Sequence, residues 1–267
     1  MTAIAIPRSF RISRPQVTFR AIRVWQRNRD VYYNVWRSEL IWPFVEPFLT
    51  ILALGVGLAD FVEIAGYDHY IEYFGPAMLA VFPMWSATAE CAWGSFVRMD
   101  TQGTFSAAIS TPVSVDEVTT GEILWAATRA VISVIYVMAI VAVFGGINSV
   151  WALTIIPFAI VPGLMFAGIS LAYTAVSKSV SSLNYFFATY VTPQFWLAGV
   201  FFPLNEMPGW VSTAAWFTPA YHVVRIYRGV AQGHFESGYL IDLAWIAVVG
   251  AVAYLLAIHL MRRRLIK

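Results

Sequence analysis

Charge is scarce in this chain. Only 12% of its 267 residues are Asp, Glu, Lys or Arg, whereas 59% are apolar. An ordinary soluble domain carries roughly 25% charged residues, so a water-soluble fold is excluded and the chain reads as an integral membrane protein. Cysteine is nearly absent. Cys91, the one thiol, lies in an apolar run, which rules out a disulfide framework and a zinc cluster. Lysine is almost as rare: Lys178 and Lys267 are the only two, and neither follows a glycine. No Gly-x-x-x-x-Gly-Lys-Ser/Thr phosphate loop occurs, so nucleotide chemistry that drives this chain must sit on another. The histidines His69, His222, His234 and His259 are scattered, with no His-Glu-x-x-His pair and no Gly-x-Ser-x-Gly elbow. No catalytic or metal-binding constellation is therefore read. Basic residues gather at the edges of apolar segments, so nucleic acid is not an expected partner.

What the chain does have is length and grease. Six apolar segments reach the ~20 residues a helix needs to cross a bilayer, near residues 41–59, 73–97, 121–144, 150–176, 183–202 and 239–260. No cleavable signal is expected, because the first 40 residues hold eight arginines and no apolar core. Those arginines are Arg8, Arg11, Arg14, Arg20, Arg23, Arg27, Arg29 and Arg37. Arg262, Arg263, Arg264 and Lys267 follow the last segment, and Lys178 lies between the fourth and fifth. The loop after the first carries Asp60, Glu63, Asp68 and Glu72 without a basic residue. Basic flanks stay in the cytoplasm, so both termini are expected inside, in agreement with an even number of spans. Arg225 and Arg228 alone run against the pattern.

The segments between spans have patterns of their own. Over residues 17–36, Val17, Ala21, Val24, Trp25, Val31, Tyr32, Val35 and Trp36 recur at three-four spacing, with Arg20, Arg23 and Arg27 opposite. This predicts an amphipathic helix in the membrane interface, its arginines toward anionic lipid headgroups. The longest inner loop, 98–120, contains Thr104-Phe-Ser-Ala-Ala-Ile-Ser110, a short helix with Phe105, Ala108 and Ile109 on one side, ended by Pro112. Ser114-Val-Asp-Glu117 is a capping box, and Asp116 and Glu117 favour the positive end of the helix that follows. A connector alone would not need an exposed apolar face at Phe105 and Ile109, so this loop is read as a docking surface. After the fifth span the chain breaks at Pro203, turns at Pro208-Gly209, and continues as an interrupted aromatic piece to Gly229. Residues 203–229 are expected to dip back into the membrane face.

These stretches resemble a known family. Thr111-Pro-Val-Ser-Val-Asp-Glu-Val-Thr-Thr-Gly-Glu-Ile-Leu-Trp-Ala-Ala-Thr-Arg129 is similar to the inner loop and third-span start of permease subunits of ATP-binding-cassette exporters, type-2 permease family, near the branch exporting nodulation lipo-oligosaccharides and its drug-exporting relatives. Thr192-Pro-Gln-Phe-Trp-Leu-Ala-Gly-Val-Phe-Phe-Pro203, with Met207-Pro208 and Pro219-Ala-Tyr-His222, resembles the fifth-span signature of that family, with Met207 where a Leu is usual. Gly55-Val-Gly57 and Tyr73-Phe-Gly-Pro-Ala-Met78 add a weaker likeness. The resemblance implies an all-α polytopic membrane protein with six transmembrane helices, an amphipathic amino-terminal interfacial helix within residues 1–40 and a re-entrant outer segment between spans five and six. It also implies a second copy of the chain and two copies of a cytoplasmic ATPase subunit that bind the ATP and Mg. Residues 101–112, including Thr101, Thr104, Phe105, Ala108, Ile109 and Pro112, would then couple to the ATPase, with Asp116 and Glu117 beside them.

A substrate path needs polar or aromatic groups at membrane depth. Charge there is costly, so Glu46, Glu90 and Arg129 call for a partner or a wet cavity. At 1.5 Å per residue they lie about 8–12 Å from the inner edge, and a Glu90–Arg129 pair is geometrically allowed. The two readings are a charged inner vestibule and a structural ion pair. Phe195, Trp196, Phe201, Phe202, Trp210, Trp216, Phe217 and Tyr221 crowd the outer half of the fifth span and the piece after it, where they serve either as a stacking surface for cargo or as interfacial anchors. His222, Arg225 and Arg228 share one helical face and would meet an anionic group or lipid phosphates. Gly163 and Gly199, in apolar runs, are read as close helix contacts. The reading that joins these features is an exporter permease in a bacterial cytoplasmic membrane, handling a lipid-linked or glycan-bearing amphiphile. A hydrophobic-drug exporter of the same architecture, a solo secondary transporter and a membrane-embedded transferase are the rivals.

Overall fold

A backbone in hydrocarbon must satisfy its own hydrogen bonds, and a chain without alternating apolar pattern does so by helix. The computed structural model describes residues 15–266, and among them every regular element is helical. Arg8, Arg11, Arg14 and Lys267, invoked for orientation, lie outside the described residues.

Helix α1, Arg20–Thr50, carries Pro43 and Pro47 and bends by 49° between its two arms. Each proline removes an N–H and crowds the carbonyl four residues back, which accounts for the bend. The helix runs on into a π turn, Ile51–Val56. Helix α2, Tyr70–Ala89, contains Pro76 and Pro83 and passes into π turns at Glu90–Gly94 and Val97–Thr101. The short α3, Thr104–Ile109, precedes α4, Val115–Val143, whose start is a capping box: Glu117 N–H donates to Ser114 Oγ at 3.2 Å and Ser114 N–H to Glu117 Oε2 at 2.7 Å. A 3₁₀ turn, Val150–Thr154, leads to α5, Ile155–Phe158, and α6, Ile160–Val176. Then come α7, Val180–Phe186, a π turn at Phe187–Val191, and α8, Thr192–Leu197. The chain closes with α9, Gly209–Trp216, α10, Pro219–Gln232, and α11, Tyr239–Leu265.

Among the described residues, three helical stretches are long and apolar enough to cross a membrane by themselves, Val115–Val143, Val150–Val176 and Tyr239–Leu265; the bent pair Arg20–Glu39 and Pro43–Val56 makes a fourth when its two arms are taken as one span. The three coincide with the expected third, fourth and sixth spans, and the second arm of the bent pair overlaps the expected first. The fifth departs from expectation. Its helix stops at Leu197 and not at Phe202, because Gly199 adopts φ +68°, a left-handed conformation that ends a helix. The break therefore belongs to Gly199, four residues before Pro203, and Gly199 is a stop and not a helix contact. Gly163 is one: a Cβ there would sit 3.1 Å from the Ala127 Cα on α4.

Helices α2, α4, α6 and α11 pack around one another, α1 lies along α4, and α10 wedges between α2 and α11. One end of this bundle gathers both described termini and the loop before α4. Asp116 pairs with Arg262 and accepts from Gln16 N–H at 2.7 Å, Arg20 donates to the Pro112 carbonyl, Thr18 to Glu117, and Arg264 to the Thr174 carbonyl at 2.8 Å. The opposite end ties Asn148 N–H to the Ala231 carbonyl at 3.1 Å and Gln232 to the Glu72 carbonyl at 2.8 Å.

The amino-terminal arm only half fits its interfacial description. Its first turns pack on protein: Ala21 and Val24 are buried against Gly121, and Trp25 donates to Thr128 Oγ1 at 2.9 Å. Val31, Val35 and Trp36, further along, stay exposed. Arg20 and Arg23 are on the outer side, whereas Arg27 is half-buried in a cavity beside Arg98.

Candidate functional site: an aromatic groove above a charged layer

Helices α1, α2 and α8 border a cavity of about 670 Å³. Pro47 sets the turn of α1 that presents Glu46 and Thr50 to it, and α2 contributes Val81, Phe82 and Trp85. The stop at Gly199 folds the next residues back, so that Phe201 and Phe202 join Phe195 and Trp196 on one wall. Trp196 stacks on Phe201 at 5.0 Å, and Phe195 meets both edge-on at 5.2 and 5.1 Å. Trp196 is 61% exposed, so this wall is an open surface and not core. Five residues singled out in the sequence thus share one groove: Glu46, Phe195, Trp196, Phe201 and Phe202. Apart from indole N–H groups, Glu46 and Thr50 are the only polar side chains among the described residues that line it.

Toward the end that holds the termini, α1, the π turns that follow α2, and α4 carry a layer of paired charge. Glu90 and Arg129 approach to 3.7 Å. The centre of the layer is Arg98, which the sequence reading placed in a loop. Arg98 reaches Glu90 at 2.8 Å and Glu122 at 2.5 Å, and Glu122 also accepts from Ser95 at 2.7 Å and from Asn28 at 2.9 Å. Arg129 goes on to Glu39 at 3.1 Å and lies 4.7 Å above the Tyr32 ring. The spacing held a signal: Glu90, Gly94 and Arg98 fall at i, i+4 and i+8, and Glu122 and Arg129 at i and i+7, each set on one helical face. Gly94 makes the room, since a Cβ there would come within 2.9 Å of Glu90 Oε1.

Of the residues expected to face a phosphate or a headgroup after the fifth span, His222 is buried, whereas Arg225 and Arg228 are half-buried. His222 is 0% exposed, held between the Asp242 carboxylate at 2.7 Å and the Trp216 carbonyl at 2.8 Å, and stacked on Trp245. Arg225 pairs with Glu236 at 3.1 Å and Asp242 at 3.4 Å. Burial disfavours its charge, yet these partners outweigh that and hold its pKa above the ordinary arginine value. Arg228 lies 3.7 Å above the Tyr73 ring and donates to the Gly199 carbonyl at 2.8 Å. Of the two arginines that broke the charge pattern, Arg225 is paired with the acids Glu236 and Asp242, whereas Arg228 is held by a ring face and carbonyl oxygens. Tyr221 lines a separate cleft of about 260 Å³ with Arg225 and Arg228, while Trp216 is exposed on α9 away from the groove.

The loop before α4 also needs correction. Phe105 is 1% exposed, packed inside its own chain, so it is no part of a free docking face. Ile109 and Ala108 are half-buried; Thr101, Ser106, Ala107, Ser110, Thr111 and Pro112 form the exposed side, with Thr104 at its margin. Asp116 and Glu117 are buried and engaged by Arg262, Gln16, Thr18 and Ser114.

A family model described as ABC-2 type transporter matches residues 21–231. Nodulation protein J of Rhizobium leguminosarum bv. trifolii is 28% identical over 246 residues, spanning 92% of this chain and 94% of its own length. The Rhizobium meliloti (strain 1021) protein of the same name is 27% identical over 244 residues, with 91% and 93% covered. That of Neorhizobium galegae is 26% identical over 246 residues, with 91% and 93% covered.

Proposed function

The chain belongs to the ABC-2 type transporter family, a multi-pass membrane component of transport, and from that premise we propose that it is the permease subunit of an ATP-driven exporter in a bacterial cytoplasmic membrane. The cargo is a lipid-linked or glycan-bearing amphiphile, of the lipo-oligosaccharide or polysaccharide class. The observation that carries the reading is the aromatic groove, an open apolar wall interrupted by a single carboxylate, which suits a greasy cargo moving along the protein. The name shared by these relatives agrees with the branch indicated by the fifth-span motif.

In this reading the chain crosses the membrane six times, with α2 and the broken α7–α8 supplying the second and fifth passes, and both termini are cytoplasmic. A separate ATPase, in two copies, binds ATP and Mg, and two copies of the permease face each other among membrane lipids. The exposed side of residues 101–112 and the start of α1 meet the ATPase. Closure of the ATPases on nucleotide then moves α4 through the contacts of Thr18 and Gln16 with Glu117 and Asp116. A hydrophobic-drug exporter of the same architecture is the second reading, favoured by the near absence of hydrogen-bonding side chains in the groove. A solo secondary transporter is the third.

The test is a mild-detergent pull-down of the tagged chain from its native membrane with mass spectrometry. An ATPase with a phosphate-binding loop, recovered in equal proportion, is the expected result. A partnerless protein that transports on an ion gradient alone would replace this reading with the secondary transporter.

A further inference from the structure

Acids within the helical bundle come in two kinds. Glu90 and Glu122 share Arg98 at 2.8 and 2.5 Å, Asp116 faces Arg262, and Asp242 faces His222 at 2.7 Å. Glu46 has no ion pair and no hydrogen bond among the described residues, and it is an exposed carboxylate at the edge of a mostly apolar cavity. Pro47 follows it directly. Because proline has no N–H, the carbonyl four residues back, that of Pro43, loses its helical bond. Glu46 thus stands beside a proline break in α1, at the rim of a cavity walled by Trp85, Phe195, Trp196 and Phe201.

From this we propose that the groove recognises a protonated amine on an amphiphilic cargo, with Glu46 as the counter-charge and the aromatic rings as the cation's other contacts. The proposal rests on the exporter reading and narrows its substrate class. An unpaired carboxylate at membrane depth is costly and is retained where a cation or a wet cavity meets it. Ring faces attract ammonium groups most strongly when both are out of water. An anionic head is opposed by Glu46. A bare glycan finds too few partners, because the nearest carbonyls are taken: Gly199 accepts from Tyr73 at 2.7 Å and from Arg228 at 2.8 Å, and Phe201 from Tyr70 at 3.2 Å. The sugar part of a glycolipid would stay outside the groove while its apolar chain and amine enter.

The experiment uses the full chain in phosphatidylcholine nanodiscs and two fluorescent probes. One is a dansylated long-chain diamine with a free terminal amine; the other is its hydroxyl-ended twin. Wild type should prefer the amine, and Glu46→Gln should weaken amine binding about tenfold or more, the worth of a charged hydrogen bond, while leaving the twin unchanged. Glu46→Asp should recover part of the preference, and Trp196→Ala should weaken both probes. Equal affinity for the two probes in wild type, or an equal loss of both in Glu46→Gln, would overturn the proposal. So would abolition of the preference by phosphatidylethanolamine in the nanodisc, which would make the site one for a lipid headgroup. Dissociation of a dimer by Glu46→Gln without a change in amine preference would assign the carboxylate to contact between copies and overturn it too. ATP-driven uptake in inverted vesicles separates the two readings: equal uptake of both probes sinks the amine and keeps the exporter. Amine-selective binding without ATP-driven uptake sinks the exporter and keeps the amine.

Discussion

Helices α1 and α2 line two regions of opposite character. Near the end holding the termini, Glu39, Glu90, Arg98, Glu122 and Arg129 neutralise one another, with Asn28 and Ser95 completing the hydrogen bonds of Glu122. Further along, Trp85 and Glu46 face a cavity in which no charge opposes the carboxylate. A buried charge with every partner in place resists rearrangement, whereas removing one partner leaves the others stranded. A carboxylate with no partner is free to receive one. The charged layer is therefore read as the joint that fixes α1, α2 and α4 together, and the groove as the surface that meets cargo.

The contrast can be broken most severely at Arg98. Arg98→Met strands Glu122 and leaves Glu90 only its longer contact with Arg129, and should cost about 3–5 kcal/mol, seen as a large drop in thermal midpoint in detergent. An unchanged midpoint would mean that the layer is not a joint. Phe105→Ala should cost about 3 kcal/mol, because a large buried ring is deleted. That result would separate stability from docking, which should instead be probed by Ser106→Asp with Ala107→Asp on the exposed side, expected to uncouple the ATPase at unchanged stability. Ser114→Ala removes the cap of α4 and should cost about 1 kcal/mol, measured the same way. Exchanging the charges of Glu90 and Arg129 should show a coupling of about 0.5–1 kcal/mol in a double-mutant cycle, smaller than the Arg98 effect because their 3.7 Å contact is the longer one. Trp196→Ala should change stability by less than about 0.5 kcal/mol, as exposed side chains do.

Much of this was legible in sequence, and the failures have a common cause. The scarcity of charge gave the helical membrane class, Ser114-x-x-Glu117 gave the helix start, and the run of aromatics gave one wall of the groove. Local spacing carries each of these. Phe105 misled because an apolar face on a short helix looks the same whether it meets a partner or its own chain. His222 misled because Asp242, its neutralising group, comes from another helix twenty residues on. Gly199 sits in an apolar run that reads as unbroken helix, and only its positive φ marks the stop. Arg98 fell just past the expected end of the second span, although its i+8 relation to Glu90 could have drawn it in.

The division between joint and groove is tested most directly by measuring thermal stability and ATP-driven uptake of the dansylated diamine on the same vesicles carrying Trp196→Ala. The account predicts uptake reduced about tenfold, the worth of a lost cation–aromatic contact out of water, with the thermal midpoint unchanged. Loss of both together would make Trp196 part of the joint and contradict the account.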